Sequence, residues 1–197
     1  MDVEAGASVR SRCPDLPRHR WTVDDYHRMG EVGILRPADR IELIDGEIIE
    51  MAPVGSPHIG AVMTLNQLLT KAAPESVMVS VQSPIQMGAQ SEPEPDLALL
   101  RARPDKYRRP PPPAAADVLL IIEVSDTSLR YDREVKLPLY ARGKIPEVWI
   151  VDLAARAVTV HRNPDKEAYT AVTSHGPTEA LEASALPGLR IPVGEIL

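Results

Sequence analysis

The chain has a single cysteine, no apolar run of bilayer length, no surplus of basic residues and no glycine-rich phosphate loop. Each absence removes a class of explanation. One thiol, Cys13, excludes an internal disulfide, and its lack of a partner fits a reducing compartment. No stretch approaches the ~20 apolar residues that cross a bilayer. The opening Met1-Asp2-Val3-Glu4-Ala5-Gly6 has no basic region followed by an apolar one, so no signal peptide is read, no membrane partner is expected and the cytoplasm is the expected location. The net charge of -6 runs against the basic surplus usual in nucleic-acid binders. Any contact with phosphate must then use a local patch or a metal ion. The dense basic stretch Arg101-Ala102-Arg103-Pro104-Asp105-Lys106-Tyr107-Arg108-Arg109 reads either as a solvated loop or as a phosphate-contacting arm.

What is present is ordinary in amount and informative in order. The 197 residues, 44% hydrophobic and 25% charged, suffice for one core and are short for two. Residues 1–20, polar and carrying Pro14 and Pro17, read as a loose leader, and residues 21–197 as one domain. Thr22, with Asp24 and Asp25 behind it, opens a short helix. Two strands, 40–44 and 47–51, flank Asp45-Gly46, a strong hairpin signal. A helix is predicted over 56–73, with Ser56 as N-cap, Pro57 in its first turn, an apolar face of Ile59, Val62, Met63, Leu65, Leu68 and Leu69, and Pro74 as its stop. Strands follow at 77–81, 85–87, 96–100 and 118–124. The last two are separated by Pro110-Pro111-Pro112-Pro113, an exposed extended loop. A second helix is predicted over 132–142, ended by Gly143 and kinked or delayed by Pro138. Strands return at 147–151, 158–161 and 169–172. Hairpins, a long helix, strands, a helix and more strands make an α+β fold with a mixed, curved sheet.

Charged residues set into apolar strands carry the chemistry. Asp96 stands in Glu94-Pro95-Asp96-Leu97-Ala98-Leu99-Leu100, and Glu123 follows Val118-Leu119-Leu120-Ile121-Ile122. A strand loses stability by burying a lone carboxylate. If the two strands are antiparallel neighbours, Asp96 and Glu123 meet at one end, where like charges repel unless a cation lies between them. Oxygen ligands favour Mg²⁺ or Mn²⁺, and a backbone carbonyl beside Glu123, most simply that of Val124, is a third candidate ligand. Such an ion polarises a phosphoryl oxygen and activates water. Lys136 is then a point charge for the transition state. It is also four residues after Asp132, so a plain helical salt bridge is the competing reading. Glu42, on the face of Ile44, is an extra ligand or an exposed strand residue. His58, in the first turn of the long helix, caps it, contacts phosphate or assists proton transfer. Trp149 and Tyr140, each in an apolar element, fit core packing.

The ordered series Ile41-Glu42-Leu43-Ile44-Asp45-Gly46-Glu47, Met51-Ala52-Pro53, His58, Pro95-Asp96-Leu97, Ile122-Glu123-Val124-Ser125, Asp132-Arg133-Glu134-Val135-Lys136, Tyr140-Ala141 and Glu147-Val148-Trp149-Ile150-Val151-Asp152 resembles the Uma-type family of restriction endonucleases, a branch of the PD-(D/E)XK nuclease superfamily. The resemblance covers about residues 20–195. It implies a restriction-endonuclease-like core, a central mixed sheet flanked by helices. It puts Asp96 at the PD motif and Glu123 at the first acidic position of the second motif. The activity implied is metal-dependent hydrolysis of phosphodiester bonds in DNA by a homodimer. One position departs from the superfamily pattern: Ser125 stands where a lysine is expected, and Lys136 on the following helix is the substitute. The alternative is a catalytically degenerate member of the same fold, acting as a binding or assembly module.

Overall fold

The computed structural model describes residues 17–36 and 38–197; Cys13 and most of the expected leader lie outside the described residues. The first helix, α1 (Val23–Glu31), is fixed by a reciprocal cap. Asp25 N–H donates to the Thr22 hydroxyl, and Thr22 N–H donates to the Asp25 carboxylate. Strands β1 (Ile41–Ile44) and β2 (Glu47–Glu50) form the expected hairpin. Asp45 and Gly46 both have positive φ, as a two-residue turn between right-twisted strands requires. A Cβ added at Gly46 would also stand 2.7 Å from that of Arg20, so residues just before α1 close over the turn.

Helix α2 (Ser56–Ala72) begins at the residue expected to cap it, so its cap lies one residue earlier. Gly55 is the N-cap, Ser56 is already helical, and no side chain caps the end. The buried side is His58, Ala61, Val62, Leu65 and Leu69. Ile59 and Met63, predicted on the apolar face, are exposed at 46% and 66%. A one-residue rotation of the stripe brings His58 inward in place of Ile59.

Six strands make the main sheet in the order β3 (Val77–Val81), β4 (Leu97–Arg101), β5 (Val118–Ser125), β6 (Glu147–Asp152), β7 (Ala157–Asp165), β8 (Ala168–His175). Only β5 and β6 are parallel; the other neighbours are antiparallel, so the sheet is mixed. Residues 85–87 do not form the expected strand; Gln86 makes a single bridge to Ala114. A small hairpin, β9 (Ala180–Glu182) and β10 (Arg190–Pro192), leads into the terminal turn α5 (Val193–Ile196).

The parallel step from β5 to β6 needs a helical crossover. It begins at α3 (Leu129–Tyr131), passes through a π turn (Asp132–Lys136) and continues as α4 (Leu137–Arg142). The helix therefore starts three residues before its expected boundary. Leu137 N–H bonds Asp132 C=O, a five-residue step. Pro138 has no N–H to give Glu134, so the ladder is already interrupted here and a widened turn is tolerated.

Side chains alternate between two apolar layers. Leu97, Leu99, Leu120, Ile122, Trp149 and Val151 pack with α2 and the C-terminal segment. Ala98, Leu100, Ile121, Val148 and Ile150 pack with α4, including Leu139 and Tyr140. Glu123, two residues after Ile121, faces the crossover helix by the same alternation.

Candidate active site

Asp96 immediately precedes β4, and Glu123 lies on β5. Leu97 pairs with Ile122, so the register carried one residue further sets Asp96 opposite Glu123. The two are interlocked. Asp96 N–H points to Glu123 Oε2 at 3.4 Å, and Val124 N–H donates to Asp96 Oδ2 at 2.8 Å. Both residues line a cleft of about 680 Å³, together with Glu42, His58, Val124 and Lys136. All the sequence-predicted site residues therefore converge in one place.

Lys136 reaches the site from the π turn. Its ammonium is 3.2 Å from Glu123 Oε1 and 3.4 Å from Glu42 Oε2, and it points to the Glu94 carbonyl at 3.4 Å. The expected alternative, an exposed helical pair with Asp132, does not describe it: Lys136 is 5% exposed and ion-pairs with carboxylates of β1 and β5. Asp132 instead accepts hydrogen bonds from Ser125 and Ser128 at 2.7 and 2.6 Å. Ser125, in the position where lysine was expected, thus anchors the start of the helix that delivers Lys136.

Glu42 is not an exposed strand residue. It is fully buried, accepting from Tyr131 Oη at 2.9 Å and Glu94 N–H at 3.0 Å besides pairing with Lys136. With no exposed surface and paired with Lys136, it suits a counter-charge for that lysine better than an extra ligand. His58 Nε2 lies 3.0 Å from Asp96 Oδ1, and its Nδ1 is buried without a partner.

Sequence reasoning missed Tyr131, Tyr140 and Glu94. Tyr140 packs in the core as expected, yet its hydroxyl donates a short hydrogen bond to Glu123 Oε1. Its signal was available: Tyr140 is four residues after Lys136, one helical turn on the same face. The contact of Glu94 is made by its backbone and carries no side-chain signature.

The electrostatics follow from this crowding. Burial pushes Glu123 up to about 8, with Asp132 and Asp96 adding to the effect and Lys136 and Tyr140 opposing it. Burial also raises Asp132 and Glu94. Burial works against the Lys136 ammonium, but Glu123, Glu42, Asp132 and Asp96 outweigh it and raise its pKa. The phenols of Tyr131 and Tyr140, held up first by burial, remain donors. One ammonium is thus set among an excess of carboxylates.

That donor set fits a divalent cation. Among the described residues no group of three or more His, Cys, Asp or Glu side chains forms a metal cage. Two carboxylates with room for water and phosphate suit Mg²⁺, which is bound by one or two carboxylates and otherwise keeps its waters or takes substrate oxygens. The basic stretch is elsewhere. It follows β4 at the end away from Asp96, roughly 17 Å off at the rise of an extended strand. Arg103 there is consumed by Asp105, by the Arg109 and Pro111 carbonyls and by the Tyr107 ring.

A mixed sheet with an aspartate and a glutamate meeting across adjacent strands, and a lysine beside them, defines the class of the PD-(D/E)XK fold. The chain belongs to the family described as "Uma2: Putative restriction endonuclease", which it matches over residues 23–194. Its structure is similar to that of a "putative nuclease belonging to DUF820" from Anabaena variabilis, with a TM-score of 0.65 and 13% identity over 89% of this chain and 96% of that one. At that identity the likeness speaks for the fold alone. No curated protein matches the chain. Among the described residues no helix is long and apolar enough to cross a membrane.

Proposed function

We propose that this protein is a divalent-metal-dependent DNA endonuclease. The observation that carries the reading is the buried Lys136 ammonium, 3.2 Å from Glu123, lining the same cleft as Asp96. Asp96 and Glu123 would hold Mg²⁺ or Mn²⁺, with the Val124 carbonyl as a backbone ligand. The ion supplies Lewis acidity toward a phosphoryl oxygen and lowers the pKa of a bound water. Lys136 orients the attacking water and stabilises charge gathering on the phosphate oxygens. Glu42 fixes the lysine from behind, and Tyr140 fixes Glu123. On this reading the lysine's altered address, a helix instead of the strand carrying Glu123, supplies the charge beside Glu123 from a different backbone.

Cutting both strands of a duplex takes two such sites, so we read the working form as a homodimer; sedimentation of the purified chain tests this. A second reading has its own support. The cleft also presents Asp39, Glu50 and Asp126, with Arg40 as the added cation. An acidic wall disfavours unaided entry of a polyanion and suits a degenerate binding module. Incubation with plasmid DNA and with RNA, each with Mn²⁺ or Mg²⁺, decides between them. Metal-dependent cleavage of DNA supports the endonuclease, cleavage of RNA alone reassigns the substrate, and cleavage of neither favours the module.

A further inference from the structure

We infer that His58 is a positioning residue that holds the Asp96 carboxylate in the orientation that binds the cation; the inference rests on the nuclease reading above. Its ring comes from the first turn of α2, an element that otherwise touches the site only through its end. Nε2 is 3.0 Å from Asp96 Oδ1, with the two side chains 8% and 15% exposed. Nδ1 is shut off from water and has no partner. The contact to Asp96 is therefore the ring's one polar contact, and the proton that serves it sits on Nε2.

This leaves His58 poorly suited to its other roles. Nε2 is spent on Asp96, and Nδ1 cannot meet a cation, a phosphate or a water in the cleft without movement of the ring. Asp96, by contrast, gains a defined plane. Its Oδ2 accepts from Val124 N–H at 2.8 Å, which the sheet fixes. Its Oδ1 lies 3.0 Å from His58 Nε2 and accepts, at 3.4 Å, from the exposed Gln82 amide. Oδ2, with a single donor, keeps lone-pair capacity for a cation. Without His58, Oδ1 keeps only the long bond to Gln82, and the plane of the carboxylate is left to the single bond from Val124 N–H to Oδ2.

Outer partners of metal ligands typically contribute 10–100-fold to metal affinity. The test is titration of the full chain with Mn²⁺, by calorimetry and by the Mn²⁺ magnetic resonance signal, on wild type, His58→Ala, His58→Gln and His58→Asn. His58→Ala should bind Mn²⁺ roughly 10–100-fold more weakly. His58→Gln extends an amide N–H about as far as Nε2 and should recover most of that loss. His58→Asn is too short to reach Asp96 and should resemble the alanine variant. Melting without metal reports any purely structural effect, which would not follow this ranking. Wild-type affinity in a folded His58→Ala overturns the inference, as does a His58→Gln no better than alanine. Coupling of a directly bound nitrogen to Mn²⁺ in the wild type would make His58 a ligand and overturn it too. A wild type that takes up no Mn²⁺ overturns the nuclease reading, and this inference with it.

Discussion

Replacing Lys136 with methionine removes one buried ammonium and keeps most of the length of its stem. On an exposed helix, losing a salt bridge to Asp132 would cost about 0.3–0.5 kcal/mol. The structure sets a different scale. Lys136 is 5% exposed, and its partners Glu42 and Glu123 are 0% and 3% exposed, at 3.4 and 3.2 Å. Removing one partner of a buried pair typically costs about 3–5 kcal/mol, because the remaining charge has no counter-ion. For a chain of this size about 1 kcal/mol moves the melting temperature by 2–4 °C, so the metal-free variant should melt roughly 6–20 °C lower. The same substitution removes the cation that competes with a metal ion for Glu123. Mn²⁺ should therefore stabilise the variant by more degrees than it stabilises the wild type. Phosphodiester cleavage, if Lys136 contacts the transition state, should fall about a hundredfold or more. Melting by calorimetry, with and without Mn²⁺, reads the first two effects directly. A loss of stability under about 1 kcal/mol, as for an exposed pair, would refute the reasoning. So would a melting shift with Mn²⁺ smaller than that of the wild type.

Two further outcomes are expected away from the metal ligands. Burial, with Arg133 nearby, holds the His161 imidazole below its usual 6.5, so the unfolded chain takes up a proton that the folded chain resists. Its stabilising effect is full above pH 6.5 and drains as the pH falls through that value toward the depressed folded pKa; His161→Phe should flatten the fall in urea-unfolding free energy over this window, and an unchanged profile would show that His161 is not its source. The exposed Lys106, Arg108 and Arg109 stand at the end of β4 remote from Asp96. Replacing all three with alanine should leave the salt dependence of DNA binding nearly unchanged, whereas a slope shallower by about 2–3 would mean that the loop neutralises phosphates.

Much of the fold was legible because its signals are local. Asp45-Gly46 specifies a turn, Thr22 and Asp25 a cap, and the apolar run 118–122 a buried strand. The meeting of Asp96 with Glu123 followed from one assumption, antiparallel pairing, that the register supplies. Where the reading slipped, the cause was also local. Ser56 looked like a cap, but Gly55 precedes the first helical residue, and the stripe of α2 turned enough to expose Met63 and bury His58. The π turn was foreshadowed only by Pro138, and it decides where Lys136 points. The rule that a buried carboxylate marks a site also has a counterexample in this chain. Glu147 is 1% exposed, yet it accepts from Trp149, Arg162 and the Ser184 backbone, and it lies outside the cleft. Glu123 and Glu147 read alike in sequence, each beside an apolar run. What separates them is place: Glu147 lies outside the cleft among structural donors, whereas Glu123 lines the cleft beside Asp96.

Conversion of supercoiled plasmid by the purified chain, with Mn²⁺ or Mg²⁺ and beside an identically prepared Asp96→Ala variant, tests the metal-dependent site most directly. Wild type should nick or linearise the plasmid, stop when the metal is chelated, and lose about a hundredfold or more of its rate on loss of the aspartate. Cleavage by Asp96→Ala at the wild-type rate, or no cleavage by wild type with either metal, would contradict the assignment of this site.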